Sequence, residues 1–262
     1  MNNDYRGAGA HLLGLQAMMR IRGGLGSLHN TIGLYIKRVD LHALNTGSTN
    51  FICTYPVGYS RFQYDLASFP ASTPERYNEL NLRGSVNPLL LTIFREMQYY
   101  ARFTDYASHS NQRCTESEFF ATIASFQDRL LQLPRTLDDD LSSCMCFTLL
   151  AYLTTMFHLP GRWDRHCYIA ERLRSSCWSI NIAHRPELSP LIRWVVVICA
   201  MSVFTAVVEE TWMLQMWQTI GDSLTWEETK EQLERVMWSG AFQDAAGRIA
   251  FEHLNMGLKS TT

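Results

Sequence analysis

A chain of 262 residues, 47% apolar and 18% charged, can bury a large hydrophobic core and is too apolar to stay disordered. Its net charge of −2 excludes a globally basic nucleic-acid binder of the histone kind. Composition goes no further, and function has to be sought in local pattern.

Helix signals begin at about Ala10. Leu12, Leu15 and Met19 recur at helical spacing up to Ile21, and Gly23–Gly24 stop the run because glycine accepts the left-handed conformation at a helix C-terminus. Asn30 can cap a second helix that places Leu28, Ile32, Tyr35 and Val39 on one stripe. Between about 45 and 87 this periodicity is lost. Pro56, Pro70 and Pro74, with Gly47, Gly58 and Gly84, predict a long irregular loop, and aromatics such as Phe51, Tyr59 and Phe69 predict that parts of it pack down.

Asn87–Pro88 sets a cap before a proline at the first helical position and opens a helix to about Thr104. Thr115 and Glu118 have capping-box spacing, ahead of a helix that buries Phe119, Ile123, Phe126 and Leu130 and ends at Pro134. Helices follow over about Leu141–His158, Arg162–Ser175 and Pro190–Ile220. Thr225 and Glu228 form a second capping box for a helix through Met237, and a short last helix covers about Gln243–Leu254.

Trp194–Val208 runs without charge, but its fifteen residues fall short of the roughly 20 that span a bilayer, so it reads as a buried helix and no membrane partner is expected. No stretch alternates like a half-buried strand. The prediction is an all-α chain of about nine helices in a single domain over 1–262, with one long buried helix near 190–220.

The seven cysteines are Cys53, Cys114, Cys144, Cys146, Cys167, Cys177 and Cys199. Their number is odd, most lie in apolar runs, and Met1-Asn-Asn-Asp-Tyr-Arg holds no apolar run of a secretory kind. Free, mostly buried thiols in a reducing compartment are expected. Cys144, Cys146, His158, His166, Cys167 and Cys177 suggest a metal cluster, but zinc sites pair their ligands at C-x₂₋₄-C or H-x₃₋₅-H spacing. C-x-C on a helix turns its thiols about 200° apart. No metal site is expected here.

Asp138, Asp139 and Asp140 raise a second chemistry. Asp139-Asp140-Leu141-Ser142-Ser143 resembles the start of a magnesium-diphosphate motif of all-α terpene cyclases, although Phe147 stands where that motif has its last acid. The plainer reading is negative charge at a helix N-terminus, where the dipole favours it. The alternative to keep is an all-α isoprenoid-diphosphate enzyme using magnesium at Asp139 and Asp140. No nucleophile elbow, Walker loop or dinucleotide fingerprint occurs. Trp194, Trp212, Trp217, Trp226 and Trp238 crowd the last third, a pattern that usually means core packing.

Two stretches resemble a known family. His11-Leu-Leu-Gly14-Leu-Gln-Ala-Met18-Met19-Arg-Ile-Arg22-Gly23-Gly24-Leu25 resembles the motif that opens the fungal-specific transcription factor domain, the regulatory region of fungal binuclear zinc cluster regulators. Trp226, Leu233 and Trp238, followed by Asp244 and Gly247, look like that family's closing stretch. The resemblance implies a helical, nuclear regulatory domain that acts through protein contacts, with or without a small effector. It implies a homodimer, or a heterodimer with a related regulator. It implies no enzymatic activity, names no catalytic residue and requires no cofactor in this region. Family members read DNA through a six-cysteine cluster, but no cysteine pair here has C-x₂-C spacing and only ten residues precede His11. The expectation is a regulatory domain without its own reader, meeting DNA only indirectly or through a missing N-terminal cluster.

Overall fold

The computed structural model describes residues 82, 84–109, 116–134, 136–156, 167–180, 185–204, 210–221 and 224–261. The two helices expected between 10 and 39, and nearly all of the expected loop at 45–87, lie outside these residues. So does the cap Thr115. Among the described residues the fold is all-α: eight α-helices, one short 3₁₀ turn and no strand. The helices are α1 (Pro88–His109), α2 (Glu116–Gln132), α3 (Asp140–Thr155), α4 (Cys167–Ser179), α5 (Ser189–Ser202), α6 (Thr211–Thr219), α7 (Trp226–Val236) and α8 (Gly240–Thr261).

α1 starts where its cap predicts. Asn87 Oδ1 accepts from the backbone N–H groups of Leu89 and Leu90, at 3.0 and 3.4 Å. Its inner face carries Leu90, Ile93, Phe94, Met97, Tyr100, Ala101 and Thr104, a helical progression, all buried. α2 buries Ile123, Phe126 and Leu130 as expected, with Phe119 half-buried against them.

The core is organised on α3 and α5. Every residue of α3 from Leu141 to Thr155 is buried, as is α5 from Leu191 to Ser202. Helices apolar all round must sit inside the protein, and these two pack on each other. α2 and α4 cover α3, and α6, α7 and α8 cover α5. The buried hydroxyls of α3 bond back into their own helix: Thr148 donates to the Cys144 carbonyl at 2.8 Å and Thr155 to that of Tyr152 at 2.7 Å. One hydrophobic core draws residues from all eight helices. No helix among the described residues is long and apolar enough to cross a membrane.

The expected single helix over 190–220 is two helices. α5 stops at Ser202, where the Cys199 carbonyl accepts from both Val203 and Phe204, at 3.0 and 3.1 Å. α6 begins at Thr211 after Glu210, whose φ of −91° and ψ of 81° are not helical. Hydrophobicity is continuous through this region, but Glu210 is held outside helical geometry by tertiary partners: its carboxylate accepts from Arg174 of α4 and from the Trp212 indole. Arg193, immediately before the charge-free run, is itself buried inside α5. It donates to the carbonyl of Ile220, the C-cap of α6, at 3.2 Å and lies over the Trp217 ring.

α8 is also longer than predicted, 22 residues where Gln243–Leu254 was expected. It runs through Gly247 and Gly257 because both face close-packed side chains.

Candidate functional site

The acidic run sits where the plainer reading put it. Asp138, Asp139 and Asp140 are exposed at the start of α3. Asp139 is the N-cap, its Oδ1 accepting from the Ser142 N–H at 2.7 Å. The Ser142 hydroxyl in turn accepts from the N–H of Asn87 at 2.9 Å, tying the cap of α1 to the first turn of α3. Asp139 therefore has a structural task in the fold itself.

The thiols separate as helical geometry requires. Cys144 meets Cys177 of α4, sulfur to sulfur at 3.2 Å, while Cys146 points to the Leu130 carbonyl of α2 at 3.6 Å. Cys144, Cys146, Cys177 and Cys199 are free and fully buried. His158 and His166, and the side chain of Cys167, lie outside the described residues, as do Cys53 and Cys114. No group of three metal-ligating side chains occurs among the described residues. Burial pushes the Cys146 thiol up to about 12. The hydrogen bond with Cys144, and then burial, raises Cys177 well above its ordinary value, and burial raises Cys199. All four side chains are closed off from solvent, and Cys146, Cys177 and Cys199 are also held from the nucleophilic thiolate, so these thiols are expected to resist iodoacetamide in the native protein at mildly alkaline pH and to react in denaturant. Peptide mass mapping that found any of them alkylated at the rate of free cysteine would contradict this packing.

The residues that carry the second motif converge. α7 opens with the expected capping box: Glu228 N–H donates to Thr225 Oγ1 at 3.3 Å and Thr225 N–H to Glu228 Oε2 at 2.8 Å. That box fixes Trp226 at the first helical position. Leu233, two turns on, is fully buried. Met237, Trp238 and Ser239 form the connection to α8. Trp238 is 1% exposed, its ring edge-on to Trp226 at 6.2 Å, and its N–H donates to Asp244 Oδ1 at 2.8 Å. The other oxygen of Asp244 accepts from Lys230 of α7 at 2.6 Å. Burial would lower the Lys230 ammonium, but Asp244, with Glu234 and Glu227, outweighs it and holds the group above its ordinary value.

Gly247 lies under both indoles, and a Cβ there would stand 2.6 Å from Trp238 and 2.9 Å from Trp226. Trp226, Trp238, Asp244 and Gly247, with Lys230, thus lock α7 to α8. Trp194 of α5 fastens the lock to the core, donating to the Met237 carbonyl at 2.5 Å. The five crowded tryptophans serve packing. Four have their indole N–H bonded within the chain, to Met237, Glu210, Asn255 and Asp244.

A second polar junction was not legible in sequence. Asp105 of α1 accepts from the Ser239 hydroxyl at 2.8 Å and from the Ala241 N–H at 3.3 Å, capping α8 from 134 residues away. Gln243 accepts from the Ser239 N–H at 2.9 Å and donates to Thr155 of α3 at 2.8 Å. Both groups of Gln243 are thereby satisfied at full burial.

Burial raises the Asp105 carboxyl above its ordinary 3.8, against the pull of Ser239 and the Ala241 and Gly240 N–H groups, and Asp244 adds to the rise. A raised carboxyl favours the protonated form in the fold, so its contribution is complete below 3.8 and is lost as pH rises through the folded-state value. Asp105→Asn keeps the accepting oxygen. Its Tm relative to wild type is expected to climb as pH goes from below 3.8 toward neutrality, and a pH-independent difference would refute the shift.

No family model matches the chain, and no curated protein and no solved structure matches it.

Proposed function

We propose that the chain is a transcription-regulatory domain of the kind its two motifs resemble. It works in the nucleus through protein contacts, as a homodimer or with a related regulator, with or without a small effector. It meets DNA only indirectly or through a separate zinc cluster. The observation that supports this reading is the packing of the second motif. The resemblance singled out Trp226, Leu233, Trp238, Asp244 and Gly247; four of them meet around Trp238, and Leu233 is fully buried on the same helix as Trp226. A scattered set of surface residues would have given the resemblance no physical basis. The opening motif lies outside the described residues.

The test is a fusion of the chain to a heterologous DNA-binding domain upstream of a reporter. A change in reporter output of either sign is expected, together with nuclear accumulation of a tagged chain. A folded, nuclear fusion that leaves the reporter unchanged would overturn the reading. In a band-shift assay at physiological salt the chain alone is expected to give no sequence-specific retardation, and a clean shift would refute indirect contact with DNA.

A further inference from the structure

Cys177 lies on the stripe that α4 turns to the core. Ile169, Leu173 and Cys177 follow one another at four-residue spacing, and all three are fully buried. The helix that α4 chiefly packs on is α3. Cys144 stands in the second turn of α3, and its sulfur is 3.2 Å from that of Cys177. A free cysteine in a core ordinarily serves as a small apolar side chain. Cys146 is one of these, its sulfur directed at a backbone carbonyl of α2. Cys144 and Cys177 differ, because the fold brings two sulfurs 33 residues apart in sequence into contact with each other. A thiol is a weak donor and a weak acceptor, so the contact gains little as a hydrogen bond. It is suited to a covalent one: a disulfide is about 2.05 Å long, so the two sulfurs have only about 1.2 Å to close between them.

We propose that Cys144 and Cys177 are a latent disulfide, a redox-sensitive latch that joins α3 to α4 when the chain meets a low-molecular-weight disulfide such as oxidised glutathione. Both sulfurs are shut from solvent in the closed fold, so exchange requires α4 to lift from α3. In the opened form the thiolate of one cysteine attacks the oxidant's S–S bond. One glutathione thiolate leaves, and a mixed disulfide remains on the protein. As α4 settles back, the second cysteine loses its proton, attacks the protein sulfur of that mixed disulfide and expels the second glutathione. The two cysteines lose two electrons and two protons, and the oxidant leaves as two thiols. The closed helices then cover the bond, so the latch is slow to set and slow to release. It restricts opened states more than the closed one and therefore stabilises the fold. It also fixes the helix that carries Arg174, which holds Glu210 at the start of α6 and lies 5.0 Å over the Phe204 ring. The latch thus braces the break between α5 and α6. Cys199 of α5 is a competing partner, close enough that charge on Cys144 raises it. The latch does not depend on the regulatory reading above.

The experiment equilibrates the full chain with mixtures of reduced and oxidised glutathione, in urea just below the unfolding midpoint, where opening is frequent. The samples are quenched with acid, capped with N-ethylmaleimide in denaturant and digested. Peptide mass mapping is expected to find Cys144 joined to Cys177, with Cys146 and Cys199 capped. The same glutathione mixtures in concentrated urea are expected to give at least about tenfold less of this bridge, since the fold no longer brings the sulfurs together. The bridged chain is expected to unfold at a urea midpoint higher by on the order of 1 M, a gain that dithiothreitol abolishes. Cys177→Ala is expected to lose that gain and Cys146→Ala to keep it. The mapping reads the pairing in the wild-type chain, so it decides the matter even if a variant fails to fold. A bridge to Cys199, a scatter of pairings no different from that in concentrated urea, or a bridged chain no more stable than the reduced one would each overturn the proposal.

Discussion

Trp194→Ala is expected to destabilise the protein by about 3–5 kcal/mol, the usual cost of truncating a buried tryptophan. The side chain is fully buried in α5, between Phe94 of α1 and Tyr152 of α3, with ring centroids 6.2 and 6.0 Å away. Its N–H is bonded to the Met237 carbonyl at the α7–α8 connection. One residue therefore joins α1, α3, α5 and the tryptophan lock, and alanine would leave a cavity at that junction. Domains are commonly stable by only about 5–15 kcal/mol, so this loss is a large share. Trp194→Phe keeps most of the packing and removes the donor, and should cost less. Trp178, 68% exposed, supplies the control: Trp178→Ala should stay within about 0.5 kcal/mol. Urea unfolding of the three variants checks the order, and a Trp194→Ala midpoint close to wild type would contradict the arrangement.

Gly247→Ala is expected to destabilise, opposite to what helix propensity alone requires. In an exposed helix interior the exchange gains about 1 kcal/mol. At Gly247 the new Cβ would lie 2.6 Å from Cη2 and Cζ2 of Trp238 and 2.9 Å from Cη2 of Trp226. Neither ring is free to retreat. Trp238 is tied to Asp244, and Trp226 is wedged between Trp238 and Phe251. Overpacking of this kind costs about 1–3 kcal/mol. Gly257 is the informative contrast. Its Cβ would meet Leu214 Cδ2 at 2.7 Å, the far end of a side chain that can change rotamer, so Gly257→Ala should be closer to neutral. A stabilised Gly247→Ala variant in thermal melts would mean that the indoles yield and that the lock is looser than its geometry.

Much of the fold was legible where a signal is local. The cap Asn87, the capping box of Thr225 and Glu228 and the helical stripe of α1 all act within one or two turns. The thiols of Cys144 and Cys146 diverge for a reason equally local, the angle between alternate residues of a helix. The signal failed where distant groups decide. Continuous hydrophobicity from Trp194 onward hid the break after Ser202, because burial is common to both sides of it and Glu210 is set by Arg174 of another helix. The start of α8 was placed too late because its cap comes partly from Asp105 of α1. The candidate site divides the same way. The resemblance picked out Trp226, Leu233, Trp238, Asp244 and Gly247 but could not say that four of them meet around Trp238, and nothing in the sequence marked the bonds made by Lys230, Gln243 and Arg193.

By itself, then, the order of residues determined the all-α class, most helix starts and the identity of the apolar faces, since backbone hydrogen bonding and side-chain periodicity operate over three or four residues. Only the tertiary structure decided that α5 and α6 are separate, that α8 runs on through Gly257 and that Asp105 caps a helix far along the chain. Those outcomes depend on which groups meet across the core, and such meetings are settled by packing density and by the need to satisfy every buried polar group.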